Sequence, residues 1–262
     1  MENRVKNNYH THTYLCHHAE GTMRETVEAA IGAGMATLGF SCHTPYPFPD
    51  GYYSGFRMTP GEQKTYVDTI LELREEYSDK IKLLIGYEAE YYPRHFNDLL
   101  KMLNRYPCDY IILGQHSINN EYDDGYFVAC PTDDIGIIEK YVDQVCEAMR
   151  FGVYSYVAHP DIATYTGDMS LYLEKMKNIC EVSVETDTPL EINMLGIRES
   201  RHYPKDEFLA LAGELGCKMI LGCDAHAPSA LDRPTTYKRA MELAEKYSLN
   251  VIEELTLKRP SL

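Results

Sequence analysis

Lys218-Met-Ile-Leu-Gly-Cys-Asp224-Ala-His226 is an apolar run that ends in an acid and a histidine two residues apart. Met219, Ile220 and Leu221 show no alternation of polar and apolar positions, as expected of a strand covered on both faces. Five other apolar stretches end the same way. Asn7–His12 ends in His10-Thr-His12, Ala36–Cys42 leads into His43, Ile81–Glu88 ends in Glu88, Asp109–His116 ends in His116, and Val153–His159 ends in His159. A further strand is predicted at Leu190–Met194, without such a terminal group.

Helical stretches separate these strands. Thr22-Met-Arg-Glu25 is a capping box that opens a helix ending near Gly32 or Gly34. Thr59-Pro-Gly-Glu62 has a Thr cap, Pro at the first position and Glu at the third, and Tyr66, Val67, Ile70, Leu71 and Leu73 follow at helical spacing. Further helices are predicted over Phe96–Tyr106, Ile135–Phe151, Ser170–Glu185, Lys205–Leu215 and Leu231–Tyr247. Val251–Leu257 reads as a closing extended segment.

Seven β–α units in strict alternation imply an α/β protein with a parallel sheet and helical crossovers. The terminal groups decide how that sheet is arranged. An open sheet would scatter them along an edge tens of ångströms long, whereas a closed barrel brings strand C-termini to one rim, where barrel active sites sit. The prediction is a distorted, TIM-like (β/α)7 barrel. No repeat, linker or low-complexity segment interrupts the 262 residues, so residues 1–262 are expected to form one domain.

A net charge of −15 argues against a nucleic-acid partner, which requires a basic footprint. No apolar run is long enough for a membrane span, and Met1-Glu-Asn-Arg-Val-Lys6 has no signal-peptide core. The eight cysteines are scattered without a CxxC pair, as for reduced thiols in a cytoplasmic enzyme. Cys42 and Cys223 neighbour His43 and Asp224, but strand alternation sends neighbours to opposite faces. Oligomeric state is not fixed by the sequence.

Seven of the ten histidines lie at strand ends, and Glu88 and Asp224 share the pattern. Imidazole and carboxylate suit zinc, manganese or iron. Nine such groups exceed what one tetrahedral ion takes, which points to several metals and to metal-assisted hydrolysis. The His10/His12 and Asp224/His226 pairs each place both members on one face of a strand.

His10-Thr-His12, His18-Ala-Glu-Gly21, Ser41-Cys-His43, Gly86-Tyr-Glu88, Gly114-Gln-His116, Ala158-His159-Pro160 and Gly222-Cys-Asp-Ala-His226 together resemble the polymerase and histidinol phosphatase (PHP) family. The resemblance runs in order from about residue 7 to about residue 230 and is closest to the stand-alone histidinol-phosphate phosphatases. It implies a distorted seven-unit barrel and three divalent metal ions. One would take His10, His12, Glu88 and Asp224; a second would share Glu88 and take His116 and His159; a third would take His18, His43 and His226. His17 is the rival of His18, which stands just before Ala-Glu-Gly. Glu88, Asp224 and His226 are the residues expected to carry the chemistry. Arg57 and Arg198 match arginines of that branch and are expected to contact phosphate, with His202 beside them on the rim. Relatives often carry an acid where Cys42 stands; if that acid orients His43, the third metal would bind more weakly here.

The resulting expectation is hydrolysis of a small phosphate monoester, L-histidinol phosphate, by a metal-bridging hydroxide. Another phosphomonoester or a nucleotide is the alternative substrate, and a non-catalytic zinc protein the alternative class. Three divalent cations would outweigh two ligand carboxylates, giving a positive pocket inside an acidic shell. Asp161 reads either as a partner of His159 or as a helix cap. Tyr14, Tyr46, Tyr52 and Tyr53 are candidates for a pocket that receives a flat ring. His95 reads as a surface residue.

Overall fold

In the computed structural model, residues 4–260 are described; Met1–Asn3, with the start of the segment read as lacking a signal core, lie outside them. The first units are β1 (Asn7–Asn8) and α1 (Met23–Gly32), β2 (Thr37–Phe40) and α2 (Gln63–Glu76), and β3 (Lys82–Ala89) and α3 (Phe96–Leu103). β4 (Tyr110–Leu113) is followed by a small hairpin of β5 (Ser117–Ile118) and β6 (Tyr126–Phe127), then by α4 (Ile135–Phe151). Beyond α5 (Met169–Glu185) come β7 (Leu190–Asn193), the short α6 (Met194–Glu199), α7 (Asp206–Glu214), β8 (Lys218–Gly222), α8 (Pro234–Lys246) and β9 (Asn250–Ile252).

Local chemistry sets these boundaries. Glu25 N donates to Thr22 Oγ1 at 3.2 Å and Thr22 N donates to Glu25 Oε2 at 2.7 Å, so the capping box of α1 is complete. Asp134 and Asp168 cap α4 and α5 through Gly136 N and Ser170 N; such caps contribute about 1 kcal/mol each. Thr59 and Glu62 also pair, but they close a turn that precedes α2 rather than its first turn.

The sheet is a ring. β1, β2, β3 and β4 pair in parallel, and so do β7, β8 and β9. Residues 153–159, expected as a full strand, join the two groups through bridges at Val157 to Leu113 and to Leu190. A parallel Thr11–Ala225 bridge closes the circle, with His12 N donating to Ala225 O at 2.9 Å. At the opposite end β9 lies beside β8, and Asn7 Nδ2 reaches Glu253 O at 3.1 Å. The barrel is thus closed at the rim and wedged apart at its base, and that wedge is its distortion.

Helix faces rich in Val27, Ile70, Leu100, Val145, Ile179 and Leu209 cover the outside of the ring. A second cluster fills the lower interior with Tyr9, Leu84, Tyr110, Ile112, Tyr156 and Ile220, backed by Leu255 and Leu257. The Tyr110 hydroxyl donates across the barrel to Tyr9 O at 2.8 Å. This plug leaves only the upper interior for polar groups.

Candidate metal centre

The strand-end groups converge just above the plug. His10 Nε2 and His12 Nε2 are 3.3 Å apart. Glu88 Oε2 lies 3.6 and 3.3 Å from these two nitrogens, and Asp224 Oδ1 lies 3.5 and 3.3 Å from them. In a tetrahedral zinc site with bonds of roughly 2.0–2.1 Å, ligand atoms stand about 3.3 Å apart. Glu88 Oε2 and Asp224 Oδ1 are buried with no hydrogen-bond donor. Each carboxylate oxygen thus stands at ligand-to-ligand spacing from both imidazole nitrogens.

Glu88 faces a second group through its other oxygen. Oε1 is 2.9 Å from His159 Nε2 and 3.4 Å from His116 Nε2. The rings of His18, His43 and His226 gather on the solvent side, with His18 4.9 Å from His226 and 5.4 Å from His43 between centroids. His43 turns Nδ1 to Glu88 Oε2 at 3.2 Å. His17 stands apart, exposed and in a left-handed conformation, so His18 is the member of the cluster.

Other acids hold these rings from behind. Glu191 Oε1 lies 2.8 Å from His10 Nδ1, and Glu191 Oε2 accepts from His159 N at 2.9 Å. Glu90 Oε1 lies 2.9 Å from His116 Nδ1. Asn193 Nδ2 donates to Asp224 Oδ2 at 3.0 Å. None of the three was singled out from the sequence. The available signal was alternation: Glu90 shares the inward face with Glu88, and Glu191 and Asn193 are polar positions inside a strand buried on both sides.

Backbone details make room for the acids. A Cβ on Gly114 would stand 1.9 Å from Glu88 Oε1, and one on Gly222 would stand 1.7 Å from Glu191 Oε1. His159 and Asp224 have φ of 29° and 45°, a left-handed conformation that costs on the order of 1–3 kcal/mol. The bonds from His159 N to Glu191 and from Asn193 to Asp224 offset it.

Electrostatics divide the groups. Burial would raise Glu88, but His43, His116 and His10 hold it well below the carboxylate range. Asp224 is likewise well below, where burial is outweighed by His10 and His12. Burial opposes charge on His10 and His12, yet the surrounding acids hold His10 well above its ordinary value and His12 at about 9. Burial keeps His43 far down and His226 at about 3. Two ionised carboxylates thus face protonated His10 and His12, whose charge a cation would replace, while His43 and His226 stay neutral with lone pairs to offer.

Above the cluster lies a cavity of about 530 Å³, walled by Phe56, Phe127, Ile162, Leu195, Glu199, Arg201, His202 and Tyr203. His202 is where the sequence put it, with Nε2 2.6 Å from Ile162 O. The two predicted phosphate arginines are not on this wall. Arg57 is 1% exposed, its guanidinium taken by Glu90 at 3.1 Å, Glu121 at 2.8 Å and Thr44 O at 2.8 Å. Arg198 sits on α6, 3.7 Å from Glu199. The chain leaves α6 through Ser200 at φ 53°, which brings Arg201 to the wall instead. Arg201 bonds Glu199 Oε2 at 2.7 Å and the Tyr203 hydroxyl at 2.8 Å.

Other expectations also shift. Asp161 accepts from Lys205 N at 2.6 Å, so it fixes the start of α7. Tyr14, Tyr46, Tyr52 and Tyr53 do not line the cavity. His95 is half-buried, edge-on to Phe48. Cys223 and Cys42 are buried, and all eight cysteines are free thiols. No helix among the described residues is long and apolar enough to cross a membrane.

Residues 8–195 match the PHP domain, and the chain belongs to that family. A probable histidinol-phosphatase of Deinococcus radiodurans is 30% identical over 224 residues, spanning 84% of this chain and 85% of that protein. The histidinol-phosphatase of Bacillus subtilis is 24% identical over 251 residues, spanning 84% and 93%. Among solved structures, the histidinol phosphate phosphatase of Lactococcus lactis, complexed with zinc, L-histidinol and phosphate, superposes with a TM-score of 0.74 at 22% identity. The match covers 96% of this chain and 99% of that one. The seven-unit, TIM-like barrel is the fold of both.

Proposed function

We propose that the chain is a metal-dependent phosphoric monoester hydrolase that converts L-histidinol phosphate to L-histidinol and phosphate. The observation that carries the chemistry is the convergence of Glu88 Oε2 and Asp224 Oδ1 on His10 and His12, with the second oxygen of Glu88 turned to His116 and His159. The substrate is supported by the names of the relatives above.

His10, His12, Glu88 and Asp224 would hold one divalent ion, Glu88, His116 and His159 a second, and His18, His43 and His226 a third, each Zn, Mn or Fe. Bound metals supply an ionised water near neutral pH and neutralise phosphoryl oxygens. Glu88 sets the spacing of the first two groups by presenting one oxygen to each. Arg201 is the guanidinium placed to hold a phosphoryl oxygen. Glu199 offers a carboxylate to the substrate ammonium, and Phe56, Phe127, Ile162 and Leu195 enclose the imidazole and exclude water. His202 completes that wall. The whole chain works as one domain, and its free thiols suit the cytoplasm.

Metal analysis and phosphate release from a panel of phosphomonoesters test this. Turnover of histidinol phosphate that disappears in His10→Ala and Glu88→Gln is the expected result. Faster release from a different monoester would move the substrate while leaving the chemistry. A metal-reconstituted protein that releases no phosphate would remove the enzyme reading.

A further inference from the structure

Four clustered imidazoles rest Nδ1 on an oxygen: His10 on Glu191, His116 on Glu90, His18 on Cys16 O at 2.7 Å and His226 on Asp224 O at 3.1 Å. His43 uses Nδ1 toward Glu88 instead. Three Nδ1 atoms, those of His12, His43 and His159, are buried with no hydrogen-bond partner. Behind His12 lie sulfurs. A His12 ring nitrogen, Cys42 Sγ and Cys16 Sγ stand within 4.8 Å of one another, and all three residues are buried.

Cys42 is fixed in place by Thr13. Its thiol donates to Thr13 O at 3.8 Å and accepts from Thr13 Oγ1 at 3.3 Å. A sulfur lone pair remains for an N–H. His12 Nε2 is engaged on the far side of the ring, toward His10, Glu88 and Asp224.

We propose that Cys42 is a positioning residue for His12, accepting its Nδ1–H and so keeping the Nε2 lone pair aimed between Glu88 and Asp224. Cys42 adjoins His43 in sequence, and its sulfur lies within 4.8 Å of a ring nitrogen of the first-strand histidine His12. Without an acceptor the ring can carry its proton on Nε2, where it blocks a cation. A thiol is a weaker acceptor than the carboxylates behind His10 and His116, so His12 is the most softly held ring of its group. This rests on the cluster being a metal centre and not on the identity of the substrate.

The test compares wild type with Cys42→Ala, Cys42→Ser and Cys42→Asp. Zinc and manganese affinities are measured by chelator competition, beside thermal midpoints of metal-free and metal-loaded protein. Cys42→Ala is expected to weaken the tighter metal by roughly 10–100-fold, and to lower kcat more than it raises KM. Cys42→Ser and Cys42→Asp, which retain an acceptor, are expected to restore most of the affinity. Should Cys42→Ala fail to fold, Cys42→Val fills the space without an acceptor and carries the same expectation. Wild-type affinity in the variants without an acceptor, or equal losses in Cys42→Ala and Cys42→Ser, would overturn the role. A wild type that binds no divalent metal would overturn it together with the metal reading. Metal binding without phosphate release would count against the proposed activity alone.

Discussion

Glu191 Oε1 stands 2.8 Å from His10 Nδ1, on the side of the ring away from Glu88 and Asp224. The acid fixes which nitrogen carries the proton and leaves the other free for a cation. Acids in this position commonly contribute 10–100-fold, roughly, to metal affinity or activity. Glu191→Gln should therefore weaken metal binding by about that factor while the circular dichroism spectrum stays native. Unchanged affinity by chelator competition would show that His10 needs no such support.

Gly114 is a second pressure point. Its missing Cβ is the space occupied by Glu88 Oε1. Gly114→Ala should push the carboxylate off the line between the two metal groups. Misplacement by about 1 Å can cost on the order of 100-fold in rate. Activity and metal stoichiometry should fall together; wild-type kinetics in this variant would mean that Glu88 does not need its observed position.

The three arginines should separate cleanly. Arg201→Ala removes a charge-assisted contact of about 1.5–3 kcal/mol, so KM for the phosphate ester should rise roughly tenfold or more. Arg198→Ala should leave KM within about twofold, because Arg198 is not on the cavity wall. A steady-state comparison in which the order reverses would return the phosphate role to Arg198.

Arg57→Ala should fail through stability. It would leave Glu90 and Glu121 as buried acids without their cation, a loss of about 3–5 kcal/mol. Urea unfolding of the metal-free protein should show this deficit; a native midpoint would mean that the acids find other partners.

Metal removal should expose opposing pH dependences. His12 is raised to about 9, so its stabilising contribution is complete below the unfolded value near 6.5 and is lost as pH rises through about 9. His226 is lowered to about 3, so the unfolded chain binds the extra proton between about 3 and 6.5 and stability falls as pH drops through that window. Chelator-treated protein should therefore be most stable near pH 6.5 and decline on both sides. A flat urea midpoint from pH 5 to 9 would contradict these environments.

Eight of the nine proposed metal ligands sit where an apolar run stops, and closed parallel topology sends every such end to one rim; His18 lies beyond the turn at Tyr14–Cys16 and was readable through the family resemblance. The residues behind them were less visible. Glu90 and Glu191 lie inside strands, where one sequence does not tell a supporting acid from a structural one. Arg57 and Arg198 were placed by their loops, but loops do not fix side-chain direction. A buried ion-pair network claimed the first, and the short α6 carried the second away while bringing in Arg201. The strand expected at 153–159 shrank to bridges at Val157, though His159 still reached the rim.

The Thr11–Ala225 bridge has a consequence for how the protein is made. His10 and His12 emerge from the ribosome first, yet Asp224 and His226 come from the last strand of the ring. A nascent chain halted before residue 218 would hold imidazoles and Glu88 but neither terminal acid nor closed wall. Metal capture in the proposed first group would therefore be a late event, coupled to docking of the C-terminal β–α unit rather than spread along synthesis.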